Sequence, residues 1–90
     1  MCNIETIWNR ILVHEGEQFE TISGLPFTYE IAGNIFLPDR ANQNIPRSEF
    51  EKAIAVGLPI DGPGEISDLV RGSAYIWAVL HDRRIRQAEW

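Results

Sequence analysis

Ile4, Ile7, Trp8, Ile11 and Leu12 recur at the i, i+3, i+4, i+7, i+8 spacing that gathers side chains on one face of a helix. Asn3 is placed to cap that helix, Glu5 suits its first turn and His14 its last, and Gly16 supplies the stop. The period then changes to two. Phe19 and Thr21 alternate with Gln18 and Glu20, and Ser23-Gly24 with Pro26 marks a turn. Phe27, Tyr29 and Ile31 next alternate with Thr28, Glu30 and Ala32, so one face of that strand is apolar. Gly33-Asn34 separates it from Ile35-Phe36-Leu37 and predicts a tight hairpin. Three antiparallel strands are expected from this stretch, with Pro38 closing the third.

Asp39 to Asn44 is polar and predicts a loop. Ser48-Glu49-Phe50-Glu51 has the form of a capping box, and Phe50, Ala53 and Ile54 share the face of a second helix that Gly57 would end. Leu58 to Gly64 holds two prolines and two glycines and must be a loop. Ser67 could cap a short turn through Arg71, which Gly72 would break. Tyr75 to Leu80 is apolar throughout, so periodicity cannot assign it. Ser73 as a cap, with Ala74, Ala78 and Leu80, favours a buried helix over a strand by propensity. The expected fold is α+β: a three-stranded antiparallel sheet with an N-terminal helix and two C-terminal helices packed on one face, all in one domain over residues 1–90.

Length and composition narrow the function. At 90 residues and 10.3 kDa the chain has room for one core, and with 44% hydrophobic residues it is too apolar to be disordered. A core this small suggests stabilisation by self-association. The single cysteine, Cys2, excludes an internal disulfide. No apolar run approaches a membrane span, and the N-terminal residues lack the basic and apolar regions of a signal peptide, so a cytoplasmic location is expected with no membrane contact.

The net charge is −5, from 8 Lys and Arg against 13 Asp and Glu. That balance argues against tight nucleic-acid binding but leaves room for a local basic patch. Such a patch would draw on Arg40, Arg47, Arg83, Arg84 and Arg86, of which the last three cluster in sequence. Arg40 and Arg47 flank the polar loop beside the start of the second helix, where they could instead hold an anion or pair with Asp39 or Glu51.

No pattern carries catalysis. Two histidines and one cysteine lack metal-ligand spacing, and His14 and His81 each fit the end of a helix. Ser73 and His81 are about 12 Å apart along a helix, too far for a nucleophile and its base. The run Gly57 to Gly64 lacks the Lys-Ser or Lys-Thr of a phosphate loop, and its prolines remove amide donors. No enzyme activity and no cofactor are expected. Trp8 and Trp77 fit core positions, while Trp90 follows a polar stretch and is expected to pack on another chain if ordered. Trp90, Tyr29 and the sheet edge are therefore the candidate interface of a homodimer, with a different protein partner as the alternative.

The strings Gly24-Leu25-Pro26-Phe27-Thr28-Tyr29, Ile45-Pro46-Arg47-Ser48-Glu49-Phe50-Glu51-Lys52-Ala53 and Gly62-Pro63-Gly64 resemble a small uncharacterised bacterial protein family. So does the run Ser73 to Leu80 followed by Asp82 and Arg83, and the resemblance covers residues 5–85. It implies no activity and no residue roles. Three functions are compatible with these residues: a non-enzymatic interaction module that self-associates, a nucleic-acid-associated accessory domain using the arginines, and a small-molecule or anion binder at a dimer seam centred on Tyr29, Arg40 and Arg47.

Overall fold

The computed structural model describes residues 3–40 and 42–90, so Cys2 lies outside the described residues. Helix α1, Ile4–Val13, begins as its sequence requires: the Asn3 side chain accepts the Thr6 N–H at 3.0 Å. Ile7, Trp8 and Ile11 are buried, whereas Leu12 falls at the margin of the face and is exposed. The chain then turns through Gly16, whose φ is +87° and whose N–H donates to the Tyr29 carbonyl.

Two sheets follow where one was expected. Strands β1 (Phe19–Glu20) and β2 (Pro26–Phe27) form a separate antiparallel ribbon, with Phe19 opposite Phe27. The three-stranded antiparallel sheet is built from β3 (Tyr29–Ala32), β4 (Ile35–Pro38) and β5 (Ile45–Pro46), in that order. Thr28 divides the two. Its N–H donates to the Asp39 carboxylate and its carbonyl accepts the Asp39 N–H, both at 2.9 Å, which ties it to the residue after β4. The hairpin at Gly33-Asn34 is present with Ala32 opposite Ile35. Of the two turn residues only Gly33 takes a positive φ, +62°.

Helix α2, Arg47–Val56, starts two residues earlier than a capping box at Ser48 would place it. Pro46 is its N-cap residue and has no side-chain cap to offer. The Arg47 N–H donates instead to the Asn34 carbonyl of the hairpin turn, at 2.7 Å. Ser48 is therefore inside the helix, and Glu51, the carboxylate of the expected box, faces Arg47 instead. Glu49 accepts the Arg71 N–H at 2.9 Å and pairs with Lys52, while Glu51 lies 3.7 Å from Arg47.

Residues 57–72 cross to helix α3 through a 3₁₀ turn at Pro63–Glu65. Tyr75 to Leu80 is helical: α3 spans Ser73–Leu80. Its lead-in is Gly72, in the left-handed region at φ +68°, rather than a Ser73 cap. Ile76, Ala78, Val79 and Leu80 are buried, which is why the segment shows no helical period. Asp82 caps the four-residue α4, Arg83–Arg86, through the Arg84 N–H. Gln87 and Ala88 then take positive φ and turn the tail back onto the body.

A run of aromatic contacts organises the core. Trp8 meets Phe50 at 5.5 Å between centroids, Phe50 meets Phe36 at 5.2 Å, and Phe36 meets Tyr29 at 4.5 Å. The run continues through Phe19 and Phe27 to Tyr75 on α3. These seven rings link α1, α2, both sheets and α3, so the elements share one core despite the division of the strands.

Candidate interaction surface

Side chains alternate across a strand, and residues paired in register share a face. Tyr29, Ile31, Phe36, Pro38 and Ile45 therefore point inward, towards α1 and α2. Glu30, Ala32, Ile35, Leu37 and Pro46 point outward. Ile35 sits opposite Ala32 on one side and Pro46 on the other, and Leu37 sits opposite Glu30. Ile35 and Leu37 are partly exposed and stand outside the core cluster, so this face carries a continuous apolar patch with one charge at its rim. The large apolar side chains that are more exposed than these lie elsewhere, at separate places: Leu12 and Val13 end α1, Ile22 and Leu25 tip the ribbon, Val56 ends α2 and Leu69 precedes α3. Dispersed exposure of that kind is ordinary; contiguity is what distinguishes the sheet face.

The sheet's edges are closed to strand addition. On the free side of β3, the Ile31 N–H donates to the Glu15 carboxylate at 2.7 Å and the Tyr29 carbonyl accepts the Gly16 N–H at 3.0 Å. The opposite edge, β5, is two residues long and ends in a proline, which has no N–H. The face, not the edge, is the sheet's open surface.

The arginines do not form a patch. Arg47 pairs with Glu5 at the start of α1, and Arg84 with Glu17 just beyond its end, so a ten-residue helix of about 15 Å separates them. Arg84 binds Asp82 through two nitrogens at 2.8 and 3.0 Å, Glu17 at 3.0 Å and the Gln18 carbonyl at 2.8 Å. Its guanidinium also lies 3.8 Å above the centroid of Phe19. The Asp82 hydrogen bonds hold the Arg84 pKa above its ordinary value. Burial opposes the charge on Asp82, but the bonds from Arg84 outweigh it and leave that carboxyl below its usual range. Glu17 is lowered too, by hydrogen bonds from His14 and then Arg84. Arg86 donates to the Trp90 carbonyl. Arg40 and Arg83 are exposed and form no ion pair with the described residues.

Both residues expected at an interface are engaged within the chain. Tyr29 is 1% exposed, and its hydroxyl donates to the Ile11 carbonyl at 2.6 Å. Burial pushes its pKa well above that of a free phenol. Trp90 packs on its own core and donates its indole N–H to the Leu80 carbonyl at 2.8 Å. A tryptophan after a polar stretch reads as exposed only if the tail stays extended, and Gln87 and Ala88 reverse it.

The cleft beside Tyr29, about 310 Å³, is lined by Thr28, Tyr29, Glu30, Leu37, Pro38 and Asp39. It holds two carboxylates and no arginine, the wrong charge for an anion. Among the described residues no three His, Cys, Asp or Glu side chains converge to hold a metal ion. None of the described helices is long and apolar enough to cross a membrane. Compared with known protein families, curated proteins and solved structures, the chain has no significant match to any of them.

Proposed function

We propose that the chain is a non-enzymatic, cytoplasmic interaction module that acts as a homodimer, with the outer face of the β3-β4-β5 sheet as its surface. The observation that supports this is the contiguous Ala32, Ile35, Leu37 and Pro46 patch on an open sheet face whose edges are blocked. A stable interface buries roughly 800 Å² on each partner, about one sixth of this chain's 5065 Å². The patch is the centre of such an area, and its polar surround supplies the rest. Two copies packed face to face would stand about 10 Å apart, as sheets do in sandwiches. The acidic cleft at Glu30 and Asp39 lies at the Leu37 end of the patch, and exposed Arg40 follows it in the chain. In a two-fold arrangement each copy offers the other both signs of charge.

Of the five arginines that the nucleic-acid alternative draws on, only Arg40 and Arg83 have no ion pair or side-chain hydrogen bond among the described residues. The test is light scattering on wild type and Leu37→Lys. Lysine opposite Glu30 makes a favourable cross-strand pair, so the variant retains its fold while the patch gains a charge. Wild type is expected near twice 10.3 kDa and Leu37→Lys near 10.3 kDa. Trp90→Ala is expected to keep the dimer mass while losing stability. A monomeric wild type at about 100 µM, or a variant that dimerises as well as wild type, overturns the reading.

A further inference from the structure

His81, the C-cap of α3, holds the backbone of Ile60, which lies in the connection between α2 and α3 and is 2% exposed. Its Nδ1 is 3.0 Å from the Trp77 carbonyl, and its Nε2 is 3.0 Å from the Ile60 N–H. A carbonyl only accepts and an amide N–H only donates, so Nδ1 carries the proton and Nε2 must be bare. Both ring nitrogens are committed, and only the neutral imidazole satisfies both. Trp77, one turn earlier, completes the grip: its indole N–H donates to the Ile60 carbonyl at 2.8 Å, and its ring stacks on His81 at 4.7 Å. Two side chains on one helix thus clasp both polar groups of a single peptide residue.

We propose that His81 is a proton-operated catch: protonation of Nε2 replaces its bond to Ile60 with a clash of two donors and loosens residues 58–65 from α3, baring the Trp77 indole and the site of Ile60. The surroundings support this sign. Burial lowers the His81 pKa, the Trp77 carbonyl works against that shift, and Arg86 adds to it. The stacked indole would favour the cation, but it cannot remove the conflict at Nε2. From the other elements, Glu20 of β1 and Asp82 and Arg84 of the C-terminal segment share the cleft with His81. Asp82 is bound by Arg84, and in the connection Glu65 accepts the Asp61 N–H. None of these carboxylates is bonded to the His81 ring, so none takes up the new proton's charge directly.

The folded pKa is depressed, so the catch is closed above the ordinary imidazole value near 6.5 and weakens as pH falls below it. If the closed form excludes the proton and the open form titrates normally, the opening constant rises roughly tenfold from pH 7.5 to pH 5.5. Hydrogen exchange by NMR on the full chain reads this as a tenfold fall in the protection factor of the Ile60 amide. The loss should come at a protection well below that of the Ile11 and Phe36 amides. His81→Gln offers a donor and an acceptor that do not titrate, and should abolish the dependence. A pH-independent Ile60 amide, one that exchanges only with the core, or unchanged pH dependence in His81→Gln overturns the proposal. Should that variant fail to fold, the wild-type imidazole is titrated directly: a midpoint below 6.5 supports the catch, and one at or above 6.5 overturns it.

Discussion

Replacing Gly72 by alanine tests how closely α3 approaches the sheet. Gly72 sits at φ +68°, where a Cβ costs about 1–2 kcal/mol. Its added methyl would collide with Cδ1 of Ile45 and lie 3.1 Å from the Gln43 side chain. Ile45 is fully buried on β5, so the collision must be relieved by moving core atoms, at about 1–3 kcal/mol. Alanine also restricts the unfolded chain, which returns about 0.4–1 kcal/mol. The net expectation is a loss of about 2–4 kcal/mol, or a fall in Tm on the order of 10–25 °C for a domain of this size. Urea unfolding with three alanine variants separates the contributions. Gly33 also has a positive φ, +62°, but no atom lies within 4 Å of a built Cβ, so Gly33→Ala should lose only about 1 kcal/mol. Gly62 is extended and also unobstructed, so Gly62→Ala should be neutral or slightly stabilising. If Gly72→Ala is no worse than Gly33→Ala, the close approach at Ile45 carries no energy and the reasoning fails.

Other substitutions probe single contacts. Tyr29→Phe removes the buried bond to the Ile11 carbonyl and should lose about 1–2 kcal/mol in urea unfolding. Asn3→Ala should lose about 1 kcal/mol as a true cap, whereas Ser48→Ala should change stability by under about 0.5 kcal/mol, the reverse of what a working capping box requires. The depressed pKa values of Glu17 and Asp82 mean that their contribution is complete above the ordinary values of 4.5 and 3.8 and is lost as pH falls through the folded ones. Arg84→Gln should therefore flatten the fall in Tm between about pH 5 and pH 3, measured by circular dichroism; an unchanged acid limb would show that the pairing with Arg84 is not its source.

The parts of the fold legible in the sequence are those whose signal is local. Asn3, the α1 spacing and the Gly33 turn each act within a few residues and are found where expected. The division of the strands was not legible, because Thr28 is set apart by hydrogen bonds to Asp39, eleven residues away. A strand as short as Ile45–Pro46 shows no alternation, and it forms because β4 offers an edge to it. The helix start at Arg47 likewise depends on a carbonyl in the hairpin turn rather than on Ser48. For the site, a signal was present. Ile35-Phe36-Leu37 is apolar at three successive positions, which in a strand places apolar groups on both faces. Arg84 and Trp90 illustrate the opposite limit: their partners at Glu17, Gln18 and Leu80 come together only in the folded chain.

The proposed homodimer has two copies meeting through the outer sheet face. An isotope-filtered NOE experiment on an equal mixture of labelled and unlabelled protein tests it most directly. The prediction is intermolecular contacts among the methyl groups of Ile35, Leu37 and Ala32. No intermolecular contacts under conditions where the chain is concentrated, or contacts confined to Val13 or to Ile22 and Leu25, would contradict it.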